Sequence, residues 1–318
     1  MDPEAPPTAG APGSLNGSWE RGGRSATSAA IAGLLGVGLV YFYGQSFFLS
    51  VAILLSAQSR HIASKADALL PTMARMLEAM KNPVRVSLVV SQFLLMLIPT
   101  VWLVRRWHSS DVRGYLRLTQ CSAAEVALAS SAVLLFYPAN AFLSQFLVRQ
   151  LNIPPALLKA NEALFRAGSG GELLFVLVAV ALTPALCEEI LFRGYVQRTL
   201  ERTLGAKSIL ATGVVFGLYH LQPLGLLNLS LLGLVFGYFF FASRSLLPGM
   251  AAHFTNNAVA VLWLYAGETP WIASRAGGDL FPQLVLVATP LSACAVFLFS
   301  IVSRRRRLER ESAPPFLA

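Results

Sequence analysis

Charge is what this sequence has least of. Asp, Glu, Lys and Arg make up 13% of its 318 residues, against 55% hydrophobic residues. Soluble domains usually carry about 25% charged residues, so a soluble globule does not fit and lipid is the expected surrounding for most of the fold. Cysteine is also scarce. Cys121, Cys187 and Cys294 lie far apart and form no CxxC, which excludes a disulfide framework and a zinc knuckle. No HExxH and no GxSxG occurs, which argues against the zinc-protease helix and the serine nucleophile elbow. Cys187 has no base beside it in the chain, so thiol catalysis is not supported either. Residues 1–27 are rich in Pro, Gly, Ser and Ala, without the short apolar region and small-residue cleavage site of a signal peptide. They are expected to form a retained, disordered cytoplasmic tail.

What is present is a series of long apolar runs, at 28–57, 86–104, 122–146, 172–193, 208–222, 224–242, 247–266 and 280–303. A spanning helix needs about 20 mostly apolar residues. The pattern therefore predicts an all-α, polytopic transmembrane bundle of about eight membrane helices. The fifth run is short and is parted from the sixth by Gln222 and Pro223, so it is expected to tilt or to cross only in part. Between the first two runs, 58–85 mixes Ala, Leu and Met with Arg and Lys and suits an interfacial amphipathic helix, with a soluble linker helix as the competing reading. The segment 147–171 carries Pro154, Pro155 and a Gly-Ser-Gly-Gly stretch and reads as an irregular connection. The division expected is thus 28–146 for amino-terminal membrane helices with an interfacial segment, 172–303 for a membrane core bearing the chemistry, and 304–318 for a basic cytoplasmic tail.

The net charge of +9 comes from Lys and Arg lying between the apolar runs rather than along one basic face, so topology explains it and nucleic acid is not an expected partner. With Arg304 to Arg307 in the cytoplasm both termini face inward, and the inner segments hold about 16 of the 25 positive residues. Membrane lipid is the surrounding partner.

Ionisable groups inside a membrane cost a few kcal/mol or more, so they line cavities, pair with each other, or act. Three places qualify. Glu188, Glu189 and Arg193 end an otherwise apolar run, and Glu189 and Arg193, four apart, share a helix face with acid before base. Glu188 lies about 100° away around the helix, which leaves one carboxylate paired and the other available. Phe216 and His220 close the short fifth run. His253 and Asn257, again four apart, share a face of the seventh, with Asn256 as an alternative. Each has a purely structural counterpart: a charge cluster ending a helix, a hydrogen-bonded core histidine, and polar glue between helices. Together they supply a carboxylate to take a proton from water, imidazoles to hold that water or meet developing charge, and an amide donor for an oxyanion. Pro184 just upstream is expected to bend its helix and free carbonyls that a polar cavity can satisfy.

At these residues the chain resembles the CPBP family of intramembrane endopeptidases, the type II CAAX prenyl protease and bacteriocin-processing group, whose motifs read EExxxR, FxxxH and HxxxN. Glu188, Glu189 and Arg193 match the first, Phe216 and His220 the second, His253 and Asn257 the third. The resemblance spans about 172–266 and leaves the amino-terminal helices unmatched. It implies an endopeptidase acting on a membrane-associated peptide or protein by glutamate-activated water, with CAAX-like processing as one form. On that resemblance Glu188 is the general base, His220 orients water, His253 and Asn257 stabilise the oxyanion, and Glu189 and Arg193 support the site. No cofactor is expected from it. The residues alone leave a zinc site open, with Glu188, His220 and His253 as ligands. They also leave open two non-hydrolytic readings, a non-catalytic scaffold or immunity protein and, against the absence of an inverted repeat, a proton-coupled transporter.

Overall fold

In a computed structural model the chain is described over residues 15–58, 69–151, 164–222, 225–267 and 280–312. It is helical, with no strand among the described residues. A short α1 (Ser18–Arg21) precedes α2 (Ala26–Gln58). Next comes α3, which begins as Leu69–Ser91 and runs on through the π-helical turns Gln92–Leu97 and Val104–His108. After α4 (Val112–Tyr115) come α5 (Ala123–Gln150) and α6, which crosses Gly170–Leu204 without a break. The remaining helices are α7 (Lys207–Tyr219), α8 (Leu226–Ser243), α9 (Leu247–Gly267) and α10 (Leu280–Ser312).

Every apolar run is thus found as helix. Six of them, in α2, α3, α5, α6, α8 and α10, are long and apolar enough to cross a membrane, so the predicted count of eight is approximate. Helix α7 is too short for that measure, as the sequence suggested. Helix α9 carries the polar cluster His253 to Asn257, which dilutes its apolar character.

Three boundaries are corrected. The separate interfacial helix expected over 58–85 is continuous with the following span from Leu69 onward, and Pro83 is accommodated inside that helix. Residues 59–68 lie outside the described residues. The tail expected over 1–27 is ordered from residue 15: the Gly17 amide donates to the His108 carbonyl, and the Trp19 and Trp107 rings lie 4.7 Å apart. Residues 1–14 lie outside the described residues. The basic tail expected from 304 continues α10 to Ser312, because Arg306 pairs with the buried Glu125 (2.9 Å) and donates to the carbonyls of Gln120 and Ser243. Residues 152–163 of the irregular connection expected over 147–171 also lie outside the described residues.

Helix α6 is the axis of the fold. Over half of its most apolar window is buried, against 17% for α5, so α6 is enclosed by protein while α5 faces outward. Its residues Leu191, Phe192, Tyr195 and Val196 pack with Val37 and Tyr41 of α2, Met96 and Leu103 of α3, and Phe216 of α7. A second apolar cluster joins Ala129 and Val133 of α5 to Phe236 and Phe239 of α8 and Phe299 of α10. Helix α10 therefore packs mainly on α5 and away from the polar residues of the core, although it follows them in sequence.

Two close approaches fix the helices around α6. A Cβ on Gly33 of α2 would lie 2.1 Å from the Tyr195 hydroxyl, which donates to the Ala29 carbonyl at 2.6 Å. A Cβ on Gly233 of α8 would lie 2.8 Å from the Gly213 carbonyl of α7. Only glycine permits either contact, and small residues are what allow membrane helices to approach backbone to backbone.

Candidate active site

The polar centre is built on α6 where the helix departs from regular geometry. A seven-residue α-helical stretch, Thr183–Glu189, lies between π-helical turns at Leu177–Leu182 and Ile190–Gln197. Such π-bulges occur frequently at functional sites. Pro184 has no N–H to give the Val180 carbonyl, its partner in a regular α-helix. Asn257 supplies the missing donor from α9, with Nδ2 3.1 Å from that carbonyl oxygen. This is the polar satisfaction the proline called for, and it docks α9 on α6. Asn256 does not replace Asn257. It donates to Asn257 Oδ1 at 3.0 Å and so fixes which way the amide faces.

The two glutamates part company as their positions on the helix require. Glu189 is fully buried, and its Oε1 accepts from Arg193 Nη1 at 2.8 Å and pairs with His253 Nδ1 at 2.9 Å. Arg193, also fully buried, gives a second bond to the Gly233 carbonyl at 3.0 Å and lies 4.5 Å from the centre of the Phe216 ring. The close approach of α7 and α8 at glycine is what sets that carbonyl within reach. His253 is held on a second side by Phe236, whose ring stacks on the imidazole at 4.9 Å with 16° between the planes.

Glu188 turns instead toward α3 and α7. Its Oε1 accepts from Gln92 Nε2 at 3.1 Å. Its Oε2 has no hydrogen-bond partner among the described residues and lies 3.8 Å from His220 Nε2. His220 Nδ1 lies 2.7 Å from the Phe216 carbonyl, which can only accept, so Nδ1 carries a proton and Nε2 faces the carboxylate. Phe216 therefore serves both sides of the site. Its carbonyl orients His220, and its ring stands edge-on to His220 at 4.7 Å and to His253 at 5.8 Å.

Six of the seven residues singled out in the sequence are joined by contacts around Glu188 and Glu189, and Asn257 stands one turn beyond His253 on α9, where it reaches the Val180 carbonyl. Sequence reasoning missed Gln92, Phe236 and the Gly233 carbonyl. Gln92 is a polar residue inside an apolar run, but unlike Asn257, which shares a face with His253, it has only Leu88, Val89, Leu95 and Met96 at helical spacing, so nothing in the sequence ties it to the site. The two others act through an aromatic face and a backbone atom, which leave no mark on hydropathy.

Among the described residues no group of three His, Cys, Asp or Glu side chains is disposed to hold a metal. Between Glu188 Oε2 and His220 Nε2 the gap is too wide for a direct hydrogen bond, and a water about 2 Å to one side of the line between them would reach both at ~2.8 Å.

Residues 170–259 match the family model described as type II CAAX prenyl endopeptidase Rce1-like. No curated protein and no solved structure matches the chain. The matched stretch contains every motif residue from Glu188 to Asn257 and excludes Gln92.

Proposed function

The match over 170–259 supports assigning this part of the chain to the CPBP family of intramembrane endopeptidases, and from that premise we propose that the protein hydrolyses a peptide bond of a membrane-associated substrate with water activated by Glu188. The observation that carries this reading is the asymmetry of Glu188. One oxygen is held by Gln92, and the other stands unpartnered opposite Nε2 of His220.

Water held between those two atoms gives a proton to Glu188 as its oxygen adds to the substrate carbonyl carbon. The carbonyl π electrons move to oxygen, which becomes the oxyanion. Glu188 then returns the proton to the departing amine as the carbon–nitrogen bond breaks. His253 presents Nε2 to the oxyanion, because Nδ1 is occupied by Glu189, and it donates there when the ring carries both protons with the Glu189 carboxylate as counter-ion. Asn257 has a second Nδ2 hydrogen beyond the one on Val180, and this is the amide donor offered to the oxyanion. Arg193 holds Glu189 and touches no reacting atom. The scheme uses no metal, and zinc has no three-residue seat among the described residues.

The orientation proposed keeps both termini in the cytoplasm, since Arg304 to Arg307 lie beyond the apolar part of α10. A thiol reagent that cannot cross the membrane, applied to a cysteine introduced at Glu311, labels it only from the cytoplasmic side if this is right.

The test of function compares new protein termini, by quantitative mass spectrometry, in membranes holding the wild-type chain or Glu188→Ala at matched abundance. Termini found only with wild type are expected, and they would also reveal the cleavage preference. An identical set of termini in both membranes would turn the reading toward a non-catalytic scaffold.

A further inference from the structure

Gln92 lies outside the family-matched stretch, on an amino-terminal helix that the sequence suggests is scaffold. It is 2% exposed, and its Nε2 is 3.1 Å from Glu188 Oε1. The amide must present nitrogen there, because an oxygen so placed would face an acceptor. Its other end, Oε1, has no hydrogen-bond partner among the described residues. A buried amide satisfied on one side only is a poor device for joining helices, since the unpaired oxygen opposes burial. The residue is better explained by what its nitrogen does to Glu188.

The local backbone points the same way. The π-helical turn Gln92–Leu97 opens at this residue, after a regular α-helical stretch from Leu69. Tyr41 of α2 lies within hydrogen-bond reach of the Gln92 and Ser91 side chains, which limits where the amide can swing. A carboxylate that must take a proton with one oxygen needs its other oxygen fixed, or the group rotates and the facing imidazole loses its partner. Arg193 cannot do this, because its Nη atoms are bonded to Glu189 and Gly233.

We propose that Gln92 is a positioning residue for the hydrolytic reaction: its amide holds Oε1 of Glu188 so that Oε2 faces His220. The inference rests on the function proposed above, and it assigns α3 a part in the site that the three motifs do not contain.

The test uses purified full-length protein in lipid vesicles and a fluorogenic peptide spanning a cleavage site found in wild-type membranes. Gln92→Met keeps nearly the same volume and removes the donor. It is expected to lower kcat roughly 10- to 100-fold, the range for a lost hydrogen bond to a charged group, with KM changed by less than about twofold and the melting temperature preserved. Placed in the Glu188→Gln background it should cost nothing further, because the carboxylate it serves is already gone. If Gln92→Met does not fold, Gln92→Asn, which draws the nitrogen back by one methylene, must show the same fall in kcat with KM unchanged. Unchanged kcat in a folded variant, a loss confined to KM, or an additional loss in the Glu188→Gln background overturns the inference. Full activity of Glu188→Gln itself would instead overturn the function on which it rests.

Discussion

Glu189 is bound tightly into the fold, and its constraint separates it in role from its neighbour. It is fully buried, answers the buried charge of Arg193 at 2.8 Å and anchors His253 at 2.9 Å. Removing one member of a buried ion pair leaves the other charge uncompensated, which typically costs about 3–5 kcal/mol. Glu189→Gln is therefore expected to lower the melting temperature in detergent sharply. Adding Arg193→Met should recover much of that stability without recovering activity, since His253 has still lost its partner. A Glu189→Gln protein that melts with wild type would contradict this account of the pair. At this scale the sequence was informative. Spacing of four placed Glu189 with Arg193 and turned Glu188 away from both, because helix geometry dictates which neighbours share a face. It could not tell that Glu189 would also take His253, since that contact joins residues 64 apart.

At the scale of elements, the contact between α6 and α9 depends on a proline and an asparagine that complement each other. Pro184 leaves the Val180 carbonyl without its helical donor, and Asn257 answers it across the interface. Losing one oxyanion donor typically costs about 10²–10³-fold in rate, so Asn257→Ala should lose that much activity, and stability as well. Pro184→Ala restores an N–H at the right place in α6. In the Asn257→Ala background it is expected to return stability but not rate, as read by melting and by peptide turnover. If it returned both, Asn257 would matter only as a donor to Val180. The sequence revealed this element in part, because a proline inside an apolar helix requires a polar partner somewhere. Which residue met that need was not legible, since Asn256 and Asn257 differ by one position and only packing decides between them. The π-helical turns of α3 and α6 were likewise invisible, as they depend on contacts between helices rather than on local composition.

Across the whole molecule, apolar runs predicted a helical membrane bundle and missed the ordered amino-terminal strap. Its key residue is Glu20, whose Oε2 accepts from Arg202 at the end of α6 at 2.8 Å and whose Oε1 lies 2.6 Å from His108 Nδ1 at the end of α3. Composition rich in Gly and Ser argued for disorder, but the Glu20–Arg202 ion pair, the Glu20–His108 hydrogen bond and the Trp19 contact with Trp107 hold residues 15–25 in place. Burial pushes the Glu20 carboxyl up, and the bonds from Arg202 and His108 outweigh it, leaving the group below its ordinary 4.5. A carboxyl lowered by folding contributes stability in full above its unfolded value, and that contribution is lost as pH falls through the lower folded value. Wild type should therefore melt higher than Glu20→Gln at pH 6, with the difference shrinking below about pH 4.5. A difference that stayed constant down to pH 3 would contradict the assignment.

These scales meet at Glu188, where the bundle brings an amide from α3 and an imidazole from α7 to the two oxygens of one carboxylate. The most direct test compares purified wild type with Glu188→Gln in lipid vesicles, on a peptide carrying a cleavage site found in wild-type membranes. A positioned base typically contributes roughly 10²–10⁴-fold, so Glu188→Gln is expected to lose at least about 10² in kcat while melting as wild type does. A folded Glu188→Gln protein that cleaved the peptide within a few-fold of the wild-type rate would show that this carboxylate does not activate the water.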